Sequence, residues 1–166
     1  METMTHYMEL LGTNQPWNLF LFMVIPVLCA ETLAISELSL LYTRNFSGGV
    51  RKLSKATGIF GGLYMAAAAI YLTAASAIPL TAAQSWRGPI DVIAVVFYLL
   101  SALPFAGIFL LEIGVVARGK TEMEKQKLHA ILVAVYLVTA HIAMIFGMLS
   151  PDLIGTAGGM AHMAGM

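Results

Sequence analysis

The sequence predicts an all-α integral membrane protein, an up-down bundle of four transmembrane helices with both termini on the outer side of the membrane. Three observations support this fold class. Hydrophobic residues make up 59% of the 166-residue chain and charged residues only 11%, whereas soluble domains are roughly 25% charged. The apolar residues form four blocks, each long enough to cross about 30 Å of hydrocarbon as a helix. The basic residues concentrate in two of the three connecting loops.

The four predicted helices, which together form one membrane domain, cover residues 17–43, 56–80, 89–117 and 127–149. The first is expected to be retained rather than cleaved as a signal peptide, because no Lys or Arg precedes it and it is too long. Pro26 and Pro104 lie inside the first and third helices, where each removes a backbone hydrogen bond and favours a kink. The tail 150–166, rich in Gly and Ala, is predicted to be disordered.

The basic residues predict the orientation, because cytoplasmic loops collect Lys and Arg near helix ends. Of the nine basic residues, only Arg87 lies outside the loops that follow the first and third helices. These two loops hold Arg44, Arg51, Lys52 and Lys55, and Arg118, Lys120, Lys125 and Lys127. Both loops are therefore expected to face the cytoplasm of a bacterial inner membrane, with both termini periplasmic.

Small residues follow one face of the second predicted helix, including Gly58, Gly62, Ala66 and Ala69. Such a row lets another backbone approach closely, either a sister helix or a second copy of the chain. A homo-oligomer through this face, surrounded by lipid, is the predicted assembly. The formal net charge is zero, so no basic field indicates nucleic acid.

Ionisable side chains inside the membrane indicate the candidate site, because they are costly there and usually have a partner. Counting along the helices places Glu31 and His141 near the midplane of the first and fourth helices, which are neighbours in an up-down ring. Glu37, Glu112 and His129 form a second layer near the cytoplasmic side. Asp91 begins a polar stripe along the third helix that ends at Glu112.

Carboxylates and imidazoles at successive depths can pass protons or bind a small cation. The leading hypothesis is a small permease-like protein that moves or senses protons or a cation. Its predicted path comprises Glu31, His141, Glu37, Glu112, His129 and Asp91. In a structural interpretation, the inner carboxylates and His129 would form end-of-helix ion pairs with Arg44, Lys55, Arg118 or Lys127, and Glu31 would hydrogen-bond His141.

A metal or haem function is the main alternative. His141, Met144 and Met148 share one face of the fourth helix, and thioethers with an imidazole suit reduced copper. Haem b would need a second axial ligand from a symmetry mate or a methionine, because both transmembrane histidines lie on one helix. Methionines and histidines also occur near both termini. They are Met1, Met4, His6 and Met8, and Met160, His162, Met163 and Met166.

No enzyme motif is present in the sequence, which lacks a phosphate-binding glycine loop, paired cysteines, HExxH and GxSxG. The protein is therefore expected not to be an enzyme. Cys29, the single cysteine, lies inside the first apolar block and is expected to be a buried, inert thiol. A partner subunit without chemistry of its own is the third possibility.

Overall fold

The computed structural model describes residues 4–153, which form helices and turns without a β-strand. Four helices are long and apolar enough to cross a membrane: α2 (Trp17–Thr43), α3 (Gly49–Ala82), α4 (Pro89–Glu112) and α5 (Glu122–Met148). A short helix α1 (His6–Gly12) precedes them, and a 3₁₀ turn (Pro151–Leu153) follows. The predicted fold class, a multi-pass four-helix membrane protein, is confirmed. Which side of the membrane each end faces stays a prediction.

The four long helices form a closed ring in which α2 packs on α3 and α5, and α4 also packs on α3 and α5. This is the predicted up-down order, with the first and fourth transmembrane helices as neighbours. We call the end that carries the loops 44–48 and 113–121 the basic end. The opposite end carries α1 and is called the α1 end. This order brings side chains from α2 and α5 together along one seam.

The helices differ from the predicted blocks mainly at the basic end, where polar residues extend them. Helix α3 begins at Gly49 rather than at residue 56. Helix α5 begins at Glu122 rather than at 127, because Thr121 and Glu124 form a capping box at its start. Helix α4 stops at Glu112 rather than at 117, because Gly114 adopts a positive φ of 74° that a helix cannot continue.

Two π-helical turns interrupt the long helices, Phe20–Val24 in α2 and Thr73–Ala77 in α3. The first comes directly before Pro26, whose nitrogen cannot donate to the preceding turn. The carbonyl of Phe22 accepts a hydrogen bond of 3.0 Å from the Tyr98 hydroxyl, and the carbonyl of Leu21 accepts one of 2.8 Å from Tyr64. Hydroxyls from α4 and α3 thus replace the missing backbone donor, as a lipid environment requires.

Helix α1 packs across its end of the bundle. Tyr7 and Leu11 are buried, and the Tyr7 ring lies 5.4 Å from that of Tyr98. Burial raises the pKa of Tyr7 to about 12, which keeps the phenol neutral. Thr5 Oγ1 donates a hydrogen bond of 2.7 Å to the Gly147 carbonyl. The segment before the first transmembrane helix is therefore part of the packed structure.

The tail predicted to be disordered begins with an ordered turn. Pro151–Leu153 form the 3₁₀ turn, and the Pro151 carbonyl oxygen lies 3.2 Å from the position of a Cβ built on Gly88. Residues 154–166 lie outside the described part of the chain, so the predicted disorder there stays a prediction.

The glycines of α3 pack against α4 of the same chain, which is one of the two uses predicted for this face. A Cβ on Gly62 would lie 2.5 Å from Phe109 Cβ, and one on Gly58 would lie 3.0 Å from Ile108 Cγ2. Gly58 and Gly62 are buried, and Ala66 and Ala69 are partly buried. A sister helix therefore occupies the part of this face that carries Gly58 and Gly62. The predicted homo-oligomer stays a prediction.

Candidate functional site

A buried cluster of polar side chains lies toward the basic end and takes residues from all four long helices. Its members are Glu37 from α2, Arg51 and Ser54 from α3, Glu112 from α4 and His129 from α5. The exposed fractions of Glu37, His129 and Glu112 are only 2%, 2% and 7%. The structure therefore brings together the three residues of the predicted inner layer. Their predicted role in ion or proton movement stays a prediction.

The imidazole of His129 lies between two carboxylates. Its Nδ1 is 2.9 Å from Glu37 Oε1, and its Nε2 is 3.2 Å from Glu112 Oε1. Neither nitrogen has the alignment of a good hydrogen bond. Both contacts are at ion-pair distance and become ion pairs when the imidazole is protonated. One ring consequently connects carboxylates that belong to α2 and α4.

Each carboxylate of the cluster has a further partner on α3. The Arg51 guanidinium donates two hydrogen bonds to Glu112, of 2.5 Å to Oε1 and 2.9 Å to Oε2, which is the strong bidentate geometry. Ser54 Oγ donates a hydrogen bond of 2.7 Å to Glu37 Oε1. Glu37 Oε2 is buried and has no hydrogen-bond partner among the described residues. Glu37 therefore keeps one oxygen available for a proton or another donor.

The net charge of the buried cluster depends on whether His129 is protonated, and the imidazole needs space beside α3. With the carboxylates ionised and Arg51 charged, the cluster carries one net negative charge when the imidazole is neutral and none when it is protonated. A Cβ on Gly58 would lie 3.3 Å from Glu112 Cγ and 3.4 Å from His129 Nε2. Glycine at this position thus leaves room for the imidazole beside α3.

Arg51 and Ser54 were not predicted as site residues. Arg51 contributed only to the predicted orientation, and the predicted partners of the inner carboxylates were Arg44, Lys55, Arg118 or Lys127. In the structure, Glu112 pairs with Arg51. A signal was present in the sequence, because Arg51, Ser54 and Gly58 recur at helical spacing on one face of α3. That face also carries the buried glycines.

Glu31 and His141 line one groove of about 160 Å³ between α2 and α5, which we call the polar groove. Both side chains are exposed. Within residues 4–153, no hydrogen bond or ion pair joins them, so the interhelical hydrogen bond of the structural interpretation is not formed. His141 Nδ1 instead lies 2.6 Å from the Leu137 carbonyl oxygen of its own helix. The predicted shared level is observed, but the contact is not.

A second groove of about 210 Å³ continues the α2–α5 seam. Its lining includes Glu37 from α2 and Ala134 from α5, and Leu137 lines both this groove and the polar groove. The seam thus runs from the buried cluster to Glu31 and His141. The two predicted layers share this seam, although Leu137 lies between them.

Asp91 belongs to a separate site at the α1 end. It is fully buried and accepts hydrogen bonds of 2.7 Å from the His6 backbone N–H and 3.2 Å from the Arg87 backbone N–H. His6 begins α1 and Arg87 precedes α4, so these bonds lie at the starts of both helices, where a carboxylate is favoured by the helix dipole. His6 Nδ1 also lies 2.6 Å from Asp91 Oδ2. Asp91 therefore joins α1 to α4.

The polar stripe from Asp91 to Glu112 is not a continuous network. Tyr98 donates its hydroxyl to the Phe22 carbonyl, and Ser101 donates to the Tyr98 carbonyl at 2.6 Å. Asp91 and Glu112 are 21 residues apart in a helix, roughly 32 Å at the helical rise. The prediction that Asp91 lies on one path with the inner layer is not supported by this geometry.

The predicted metal set is only partly assembled. His141 and Met144 line the polar groove, whereas Met148 does not and is 70% exposed. Within the described range, no group of three or more His, Cys, Asp or Glu side chains is arranged to hold a metal ion. Both nitrogens of His129 face carboxylates, which leaves neither directed at a haem iron. Met1 and the Met and His residues from 160 onward lie outside the described residues.

Comparison with known proteins identifies the family. A search of curated proteins and a search of solved structures each gave no match. The family model of DUF6803, described as a family of unknown function, matches residues 1–163. This match covers nearly the whole chain, and the chain therefore belongs to the DUF6803 family.

Proposed function

We propose that this protein moves protons across the membrane, with Glu37, His129 and Glu112 as its proton-binding centre. The observation that supports this function best is the buried imidazole that contacts carboxylates of two different helices, at 2.9 and 3.2 Å. Burying three ionisable groups inside an apolar bundle is costly. Proton exchange is a function that uses this arrangement of residue types directly.

The ring of His129 can accept a proton at one nitrogen and release one from the other. Glu112 lies on the Nε2 side, beside Arg51, whose side chain is 21% exposed near the basic end. Glu37 lies on the Nδ1 side. Both carboxylates stabilise the protonated ring, so a proton that reaches His129 from the basic end can pass on to Glu37 over a short distance.

Beyond the cluster, the α2–α5 seam supports a continuation toward the midplane. The unpartnered Oε2 of Glu37 offers a position for the proton, and Glu37 lines the second groove. Leu137 separates this groove from Glu31 and His141. Movement of the Leu137 side chain, on the timescale of rotamer changes, would let water connect the two layers. If the basic end is cytoplasmic, the cluster receives protons from the cytoplasm.

The test is proton flux into liposomes that contain the purified protein and a trapped pH-sensitive dye, driven by a potassium diffusion potential. Wild-type liposomes should change internal pH faster than protein-free liposomes. Glu37→Gln keeps an oxygen that can accept from Ser54 but removes proton exchange, and His129→Gln removes the imidazole. Both variants should conduct only at the protein-free rate.

The matched control is Glu122→Gln, because Glu122 is an exposed residue paired with Lys125 and lies outside the cluster. It should conduct at the wild-type rate. Thermal unfolding of each variant in detergent shows that it is folded before reconstitution. Wild-type flux equal to that of protein-free liposomes, or wild-type flux in both cluster variants, would overturn the proposal.

A further inference from the structure

We infer that the polar groove between α2 and α5 is a binding site for a monovalent soft metal ion, with Cu⁺ as the natural class of ligand. Four potential ligands line this groove: Met23 and Glu31 from α2, and His141 and Met144 from α5. Each helix contributes one thioether. Helix α2 also contributes a carboxylate, and α5 contributes an imidazole. The inference does not depend on the proposed proton movement, because it uses none of the cluster residues.

The ligand types select the metal. Thioether sulfur is a soft donor that favours Cu⁺, and imidazole also binds copper. Hard ions such as Mg²⁺ and Ca²⁺ prefer several oxygen ligands, whereas the four potential ligands in the polar groove include one carboxylate. The set is therefore unsuited to hard divalent ions. Ag⁺ has the same charge and similar softness, so it is a useful probe that is not readily oxidised.

The contact of His141 with its own helix fixes the tautomer that a metal ligand would need. A carbonyl oxygen cannot donate, so the 2.6 Å contact with the Leu137 carbonyl requires a proton on Nδ1. In the neutral ring, Nε2 then carries the free lone pair. Metal-binding histidines usually donate their second N–H to a carbonyl or carboxylate in this way, which fixes the ring and its tautomer.

Glu31 supplies the second independent observation. Its carboxylate is exposed at mid-depth of a transmembrane helix, and within residues 4–153 it has no ion-pair or hydrogen-bond partner. An ionisable group at this depth normally has a partner. A monovalent cation in the groove would supply that partner and would neutralise the charge.

The groove has room for an ion. Its volume of about 160 Å³ is well above the roughly 10 to 15 Å³ that a cavity needs to hold one water molecule. Met23 and Met144 are only half-buried, and methionine side chains are flexible. Both thioethers can therefore adjust their positions around a bound ion. Met23 belongs to the π-helical turn Phe20–Val24, which determines the direction of this side chain.

The ligand set differs from the predicted one in a way that provides a control. Met148, which was predicted as a ligand together with His141 and Met144, lies outside the groove lining and is 70% exposed. Met23 on the opposite helix takes its place. Leucine conserves the volume of methionine and removes the sulfur, so Met→Leu variants at these positions test the ligands with little effect on packing.

The test is Cu⁺ binding by the full chain in detergent under anaerobic, reducing conditions, in competition with a chromophoric Cu⁺ chelator. Met23→Leu and Met144→Leu should each lower the affinity of one Cu⁺ by about tenfold or more, and the double variant should bind one Cu⁺ fewer than wild type. Met148→Leu should match wild type. The methionines and histidines near the termini are unchanged in every variant, so any copper they bind cancels in this comparison.

A second measurement uses Ag⁺ and thermal unfolding, because an ion that binds only the folded state raises the unfolding temperature. Ag⁺ should raise this temperature more for wild type and Met148→Leu than for the Met23→Leu/Met144→Leu double variant. Equal Cu⁺ stoichiometry and affinity in wild type and the double variant would show that the groove is not a soft-metal site. That result would leave the proton proposal intact, since flux is measured without copper.

Discussion

The buried cluster and the polar groove use similar residue types in different surroundings. The cluster faces the centre of the ring, where Glu37 and Glu112 meet side chains from α3 and α5. The polar groove lies on the outside of one seam, where Glu31 has only α5 opposite and no partner within the described residues. The comparison shows that depth in the membrane does not decide whether a carboxylate is paired. The direction of its side chain around the helix decides it.

The largest expected effect comes from removing a charge from the cluster. Glu112→Gln leaves Arg51 without its bidentate carboxylate and removes one contact of His129. Breaking a buried ion pair in this way should lower the free energy of unfolding by about 3 to 5 kcal/mol. Unfolding in mixed detergent and denaturing surfactant measures the change.

Glu122→Gln is the matched control for this prediction. Its exposed pair with Lys125 should contribute at most about 1 kcal/mol. If Glu112→Gln and Glu122→Gln changed stability equally, the cluster would be no more important to the fold than a surface ion pair, and the comparison between the two regions would lose its basis.

The next largest loss of stability is expected for a substitution in the closed seam between α3 and α4. The matched substitution lies in the open seam between α2 and α5. Gly62→Ala places a Cβ 2.5 Å from Phe109 Cβ and 2.9 Å from the Phe105 carbonyl oxygen. This overpacking should lower the free energy of unfolding by about 1 to 3 kcal/mol. Ala134→Leu adds more atoms but extends into a groove of about 210 Å³.

Ala134→Leu should therefore change stability by less than about 0.5 kcal/mol. The same unfolding assay measures both variants. A larger loss for Ala134→Leu than for Gly62→Ala would indicate that the α2–α5 seam is closed in the membrane, either by a second copy or by rearranged helices.

A smaller loss of stability is expected when the Tyr98 hydroxyl is removed, because this hydroxyl donates a hydrogen bond to a backbone carbonyl of α2 near Pro26. Tyr98→Phe removes the donor to the Phe22 carbonyl. Pro26, four residues later, lacks the N–H that would donate to this carbonyl in a regular helix. The loss should be about 1 kcal/mol. Tyr71→Phe is the control, because Tyr71 is 57% exposed and its 5.9 Å ring contact with Phe22 survives the change. Equal stability of the two variants would contradict this role of Tyr98.

The smallest effect is expected in the polar groove. Glu31→Gln breaks no interaction within the described residues, so the free energy of unfolding should change by less than about 0.5 kcal/mol. A loss as large as that of Glu112→Gln would mean that Glu31 has a partner in the membrane-embedded protein. Chemical cross-linking of the detergent-purified chain would then test whether this partner belongs to a second copy.

Much of the fold follows from local properties of the chain. The apolar blocks predicted four spans, and α2 has the predicted limits of residues 17 and 43. The ends of α3, α4 and α5 were predicted less well, because hydropathy detects the hydrocarbon region rather than the helix. Arg51 and Glu122 lie within helices although polar residues lowered the hydropathy there. A capping box, rather than apolarity, determines the start of α5, and a left-handed glycine determines the end of α4.

Less of the candidate site could be predicted. Counting residues gave the depths of Glu37, Glu112 and His129, and short loops gave the ring order. The choice of Arg51 over Arg44 or Lys55 depends on the rotation of α3, which the contact of its glycines with Phe105 and Phe109 determines. The presence of Met23 in the groove lining also depends on geometry, because Met23 lies in a π-helical turn, which changes the direction of side chains relative to regular 3.6-residue periodicity.

The sequence by itself determined the membrane-spanning class, the number of membrane-spanning helices, their order and the level of each ionisable side chain within them. These properties depend on composition and on distance along one helix, which are local. Only the tertiary structure decided that Glu37, Glu112 and His129 meet while Glu31 and His141 remain apart across a groove. Each helix can rotate about its axis without changing its depth or hydropathy, and the packing of all four helices selects one set of rotations.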